Sequence, residues 1–231
     1  MRNLYSSLGQ RIEALRNTPY FSTLPESALR ELAGATQLRF YDKGEVIFLE
    51  GEECAGLFIL QEGGVKLSKL SPTGREMIFK ILGKGATFNE VAVLDEGPHA
   101  VNATALDGCR VWVVSPAMVR ELLTRYPQMS RAVILNLAQN LRMFVELVNN
   151  LSLYQVTQRL ARCLVELPPD PLSGKKIKRT TQMQLAAQLG TVREVLARAL
   201  KELEQVGAIR VSRGKIEVLD EAALLLWSEM S

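Results

Sequence analysis

The sequence predicts an α+β protein built from an N-terminal β jelly-roll barrel, a long helix and a C-terminal winged helix–turn–helix. Three observations carry this. Short apolar β-like runs alternate with glycine-bearing turns over residues 36–114. From Pro116 the pattern turns helical, with a heptad-spaced apolar series inside 128–152. After Pro168-Pro169, two short amphipathic stretches hinge on Gly190 and two further β-like runs follow.

Taken in order, residues 2–17 set Leu4, Leu8, Ile12 and Leu15 at helical spacing. A second short helix is expected after Leu24, with Pro25 in its first position and Leu29 and Leu32 facing inward. The barrel strands are expected at 39–41, 45–49, 57–60, 65–70, 77–82 and 110–114. Lys43-Gly44, Gly51, Gly63-Gly64, Pro72-Thr73-Gly74, Gly83-Lys84-Gly85 and Asp107-Gly108 supply the turns between them. Residues 1–126 form the expected first domain, closed by a helix over 116–126.

The segment 127–152 is the expected dimerisation helix. Ile134, Leu137, Leu141, Phe144, Val148 and Leu151 make an a/d seam, and Ile134, Leu141 and Val148 keep a seven-residue period. A helix packed on its own barrel is the alternative; the strict period favours a homodimer.

Residues 153–231 form the expected third part, opening with a helix over 154–167. Thr181 caps a helix running through Leu189, Gly190 makes the tight turn, and a second helix runs to about Val206. Thr191-Val192-Arg193-Glu194 fits a capping box for that second helix. Residues 209–218 read as a two-stranded wing turning at Arg213-Gly214. Between 169 and 219 there are ten basic and five acidic side chains, a local +5, although the whole chain carries only +3. A basic module of this shape suits double-stranded DNA.

Composition narrows the remaining classes. Of 231 residues, 47% are hydrophobic and 23% charged, which excludes disordered and fibrous chains. No apolar run is long enough for a membrane span, and the first residues lack a signal-peptide core, so a cytoplasmic protein without membrane partners is expected. Cys54, Cys109 and Cys163 are far apart, which argues against a disulfide framework or a cysteine zinc site. His99 is the only histidine, so a histidine-clustered metal site is excluded and no enzyme chemistry is visible.

Several stretches together resemble the cyclic-AMP-receptor-protein/fumarate-nitrate-regulator (CRP/FNR) family of bacterial transcription factors. They are Lys43-Gly44-Glu45-Val46-Ile47-Phe48-Leu49-Glu50-Gly51-Glu52, Gly63-Gly64-Val65-Lys66-Leu67, Ser71-Pro72-Thr73-Gly74-Arg75-Glu76, Phe88-Asn89-Glu90-Val91-Ala92-Val93-Leu94 and Leu189-Gly190-Thr191-Val192-Arg193-Glu194. The resemblance spans roughly residues 18–219. It implies a cyclic-nucleotide-binding-type barrel, a homodimer, and RNA polymerase as a partner. It also implies that Arg193, Glu194 and Arg198 read bases in TGTGA-type half-sites of a near-palindromic operator. Arginine suits guanine O6 and N7, and glutamate can accept from cytosine N4. The alternative for Glu194 and Arg198 is a surface i, i+4 ion pair. Thr181, Gln182, Arg213 and Lys215 are the candidate phosphate contacts.

The effector pocket that the resemblance implies comprises Asn89, Glu90, His99, Ala100, Phe144 and Val145. Here the sequence departs from the family's cyclic-nucleotide binders. Asn89 stands for their glycine, His99-Ala100 for their Arg-Ser pair, and Phe144-Val145 for the polar pair that meets the purine. A buried phosphate needs a guanidinium or equivalent donors, so the substitutions argue against cyclic AMP. The family's iron–sulfur cluster needs four cysteines and is excluded. The effector is therefore unknown. One alternative is a haem-based sensor of carbon monoxide or nitric oxide with His99 as axial ligand, against which stands a surface-loop histidine after Gly97-Pro98. Another is a cyclic-nucleotide-binding regulatory module of a kinase or channel. Glu90 has a structural alternative too, as a capping residue on its short helix.

Overall fold

In the computed structural model, which describes residues 1–171 and 173–229, the N-terminal helix starts later than its apolar spacing predicts. Strand β1 (Arg2–Leu4) pairs antiparallel with β2 (Thr36–Tyr41), with Leu4 opposite Leu38. Helix α1 (Leu8–Arg16) begins where Ser7 caps it: Ser7 Oγ accepts from the Gln10 amide, and Gln10 Oε1 accepts from the Ser7 amide. The helical period of the sequence runs straight through this cap. In α2 (Glu26–Gly34), Pro25 is the N-cap rather than the first helical residue, and Leu29 and Leu32 are buried as expected.

The barrel strands follow: β3 (Val46–Phe48), β4 (Leu57–Glu62), β5 (Val65–Leu70), β6 (Glu76–Leu82), β7 (Thr87–Phe88), β8 (Asn102–Ala105) and β9 (Cys109–Val114). One sheet runs β1-β2-β9-β4-β7 and the other β3-β8-β5-β6. Strand β8 reads Asn-Ala-Thr-Ala and lacks the bulky β-formers that mark a strand in sequence. Strands β4 and β9 are apolar on both faces because both faces are buried. Phe58, Leu60, Val111 and Val113 fill the barrel with Phe48 and Phe88. Leu57, Ile59, Trp112 and Val114 point the other way, under α1, α2 and α4 (Pro116–Arg125). Helix α5 (Pro127–Leu153) runs unbroken for 27 residues and adds Met129 and Val133 to that outer core.

The chain divides into two compact units, Met1–Lys69 with Phe79–Leu141, and Leu70–Ile78 with the described residues from Arg142 onward. The second contains α6 (Val156–Val165), β10 (Ile177–Arg179), α7 (Gln182–Gln188), α8 (Arg193–Gln205), β11 (Ile209–Ser212), β12 (Lys215–Val218) and α9 (Glu221–Glu229). Its core joins Leu160, Leu164, Leu185, Leu196, Leu203, Ile209, Ile216 and Leu224. Residues 230–231, the end of the expected third part, lie outside the described residues.

Candidate nucleic-acid interface and barrel pocket

Helix α7 forms where expected. Thr181 Oγ1 accepts from the Gln184 amide, and Gln184 Oε1 accepts from the Thr181 amide. Gly190 then adopts φ +61°, so the turn favours glycine for its conformation; a Cβ there would also sit 2.7 Å from Leu151 Cδ2, which would have to shift. Its carbonyl accepts from the Arg75 guanidinium, carried by the β5–β6 turn. Helix α8 departs from the expected capping box. Its N-cap is Val192, with no side-chain cap, and Thr191 is buried. The helix starts one residue later than the Thr-x-x-Glu pattern requires, so Glu194 occupies its second position and does not reach back.

Consequently Arg193, Glu194 and Arg198 are all exposed on α8. Among the described residues, Glu194 and Arg198 form no ion pair with each other or with any other side chain. Arg193 Nε reaches only Gln182 Oε1, at 3.5 Å. Between the helices and the wing runs a groove of about 890 Å³, lined by Thr181, Gln182, Arg193, Arg213 and Lys215. Thr181 uses its hydroxyl in the α7 cap, while Arg213 is exposed at the wing turn. Strands β11 and β12 pair antiparallel with Ser212 opposite Lys215, which places Arg213-Gly214 at the turn as expected.

The basic run at 175–179 behaves differently. Lys175 donates to Glu217 at 2.6 Å, Lys176 pairs with Glu221, and Arg179 pairs with Asp170 at 3.2 Å. Lys175 holds the Glu217 carboxyl below the usual carboxylate range, with Lys215 Nζ 3.5 Å from its other oxygen. These cations fix β10 and β12. Among the described residues, positive charge without a carboxylate partner comes from Arg198 and Lys201 on α8, Arg213 at the wing tip, and Lys178 and Arg210 on the strands, a distribution that counting charges along the sequence cannot resolve.

The barrel candidates form a closed network. Asn89 has φ +75°, in the left-handed region, where glycine is at ease and asparagine is tolerated. Its Nδ2 donates to the Gly56 carbonyl at 2.7 Å and lies 3.5 Å from Cys54 Sγ. Its Oδ1 is 2.8 Å from His99 Nδ1, and His99 Nε2 accepts from the Ala55 amide at 3.4 Å. The imidazole is 1% exposed and stacks on Phe48 at 3.9 Å. This corrects the surface-loop reading of His99: the ring is buried, and both its nitrogens have partners within the barrel. Burial holds its pKa below the ordinary 6.5, so the ring is neutral.

Glu90 is also buried. Its Oε1 accepts from Tyr20 at 2.9 Å and from Thr87 at 2.6 Å, so it ties α3 (Glu90–Leu94) to the segment after α1 rather than capping its own helix. Burial beside this carboxylate pushes the Tyr20 phenol far up. Ala100 is exposed. Phe144 and Val145 belong to the other unit and are about half exposed. Tyr20, Ala55 and Gly56 were not legible as partners, since no local spacing links them to residues 89–99, whereas Thr87 lies only three residues before Glu90. Among the described residues no group of three or more metal-type side chains could hold an ion.

The expected seam splits. Ile134, Leu141 and Val148 are 63%, 64% and 60% exposed, and Phe144 is about half exposed. Leu137 instead packs on the outer core, and Leu151 on the Gly190 turn.

Two family profiles match the chain: a cyclic nucleotide-binding domain over residues 38–126 and a Crp-like helix–turn–helix domain over 158–227. The second match rules out a bare kinase or channel module. The chain is 30% identical to the cAMP-activated global transcriptional regulator Vfr of Pseudomonas aeruginosa, over 89% of this chain and 97% of that protein. It is 29% identical to a cyclic AMP receptor protein of Thermus thermophilus, over 91% and 96%. A CRP/FNR-family transcriptional regulator of Thermus thermophilus is similar in structure, with TM-score 0.66 and 26% identity over 84% and 98%. A regulator of the same family from Eubacterium rectale matches with TM-score 0.79 over 93% and 100%; at 20% identity it shows the fold alone.

Proposed function

The chain belongs to the CRP/FNR family of transcription regulators, and from that premise we propose that it is a homodimeric, sequence-specific DNA-binding regulator whose barrel answers to something other than cyclic AMP. The observation that supports base reading is the exposed, unpaired Glu194 and Arg198 on the second helix of the helix–turn–helix. Arg193 and Arg198 take guanines and Glu194 a cytosine, in half-sites resembling TGTGA. Gln182, Arg213 and Lys215 meet phosphates and set the register, joined by Thr181 at the start of α7. The exposed series Ile134, Leu141, Phe144 and Val148 on α5 forms the subunit contact. A two-fold dimer spaces its two reading helices by about 34 Å, which calls for a near-palindromic operator. The protein acts in the cytoplasm with RNA polymerase as its partner, and the reading includes no catalytic step.

Relatives carry cyclic AMP in their names, but here the residues speak for another effector. His99, neutral and bonded to the Asn89 side chain, stands where those binders place a guanidinium, and nothing at His99-Ala100 would neutralise a cyclic phosphate. Fluorescence anisotropy with a palindromic TGTGA-type duplex tests the proposal. Binding without nucleotide, unchanged by millimolar cyclic AMP and weakened by replacing the half-site guanines, supports it. Binding that requires cyclic AMP, or that ignores the guanines, contradicts it.

A further inference from the structure

Outside the barrel interior, a groove of about 420 Å³ lies between α1 and the outer face of the five-stranded sheet. Glu13 and Asn17 line it from α1, Ile59 and Gln61 from β4, Trp112 from β9, and Lys84 from the β6–β7 turn. Two of these residues carry polar atoms sealed from solvent and without a hydrogen-bond partner: Trp112 Nε1, a donor, and Gln61 Oε1, an acceptor. Trp112 is 2% exposed. Buried polar groups are nearly always bonded, so an orphan donor and an orphan acceptor beside one groove stand out. Two exposed residues add opposite charges, the Glu13 carboxylate and the Lys84 ammonium, and among the described residues neither has an ion-pair partner. Elsewhere in the same unit, exposed charges such as Lys69 and Glu50, Arg110 and Glu62, and Arg125 and Glu31 are paired.

We propose that this groove binds a small zwitterion of the α-amino-acid class. Glu13 takes its ammonium and Lys84 its carboxylate, Gln61 Oε1 and Trp112 Nε1, sealed from solvent, join them as side chains of the wall move on binding, and Ile59 receives its apolar part. The volume lies within the range of small-molecule sites. Opposite charges in one groove select a ligand with both signs over a simple amine or acid, because either alone leaves one protein charge and one orphan atom unmatched. An occupant would bridge α1 to the sheet. Ile12 and Leu15 of α1 share a core with Met129 and Val133 of α5, so the bridge would stiffen the seating of the long helix.

The site is independent of DNA reading, and its test needs no DNA. The full-length ¹⁵N-labelled chain has two tryptophans, Trp112 and Trp227, whose indole N–H signals a Trp227→Phe variant assigns. Each common L-amino acid is titrated to millimolar concentration. At least one should move the Trp112 signal saturably and leave Trp227 in place. Its methyl ester and its N-acetyl form should fail. The double variant Glu13→Gln/Lys84→Gln, changed only at exposed positions, should weaken binding by about tenfold or more. If no amino acid moves the Trp112 signal, or if the effective one binds the double variant or binds as its methyl ester equally well, the proposal is overturned.

Discussion

The polar cluster of the barrel and the proposed reading face of α8 are both short runs of polar residues, and their surroundings are opposite. Asn89, Glu90 and His99 are turned inward, each bonded to its own chain. Glu194, Arg198 and Arg213 are exposed and form no ion pair among the described residues. The difference separates stabilising from recognising groups. A buried polar side chain must be matched internally or it destabilises the fold. An exposed charge left without an internal partner keeps its bonding capacity for another molecule. By this criterion the DNA face is prepared for a partner and the Asn89–His99 cluster is already filled.

The largest effect should come from the open side. Leu141→Glu sets two carboxylates against each other across the proposed subunit contact, where unpaired charge is costly. Sedimentation should show monomers, and operator affinity should fall by about 100-fold or more. An unchanged dimer would remove α5 from the comparison. On the closed side, Asn89→Ala leaves His99 Nδ1 and the Gly56 carbonyl without partners and puts alanine, which tolerates the left-handed region less well than asparagine, at φ +75°. Urea unfolding should report a loss of about 2–4 kcal/mol. Asn89→Gly, which suits the backbone, should lose less, and both folded variants should keep their operator preference. A variant as stable as the parent would mean the network is not structural.

Smaller effects sharpen the contrast within the DNA face. Arg198→Ala should cost about 1–3 kcal/mol per half-site and relax preference at one base pair. Arg213→Ala should weaken all sequences alike and lower the salt slope by about one per subunit, since a phosphate contact releases counterions without reading bases. The smallest effect is titration of His99. Its folded pKa lies below 6.5, so below pH 6.5 the unfolded chain binds the extra proton first. The stability that the neutral ring contributes is complete above pH 6.5 and is lost as pH falls toward the folded pKa, by at most about 1.4 kcal/mol per pH unit. A His99→Gln variant should lack that part of the pH dependence.

The outline was legible because its marks are local. Glycine turns spaced the barrel strands, Thr181 capped α7, and Gly190 and Arg213-Gly214 fixed the helix–turn–helix and the wing. Misreadings arose where one local pattern fits two structures. Leu4 satisfies a helical period yet pairs with Leu38 in a sheet, and Thr191 satisfies a capping box that α8 does not use. Long-range partners left no trace. Nothing near His99 announces Phe48 or Ala55, and nothing near Lys175 announces Glu217. Sequence therefore points to the pocket residues without their bonding, and to Lys175, Lys176 and Arg179 as free charge.

Random-site selection with the purified protein, in the absence of any nucleotide, tests the central contrast most directly. The account predicts near-palindromic sites with TGTGA-like half-sites from the parent, and loss of the guanine–cytosine preference in the Glu194→Ala and Arg198→Ala variants. Asymmetric sites, sites unaffected by both substitutions, or enrichment only when cyclic AMP is added would contradict it.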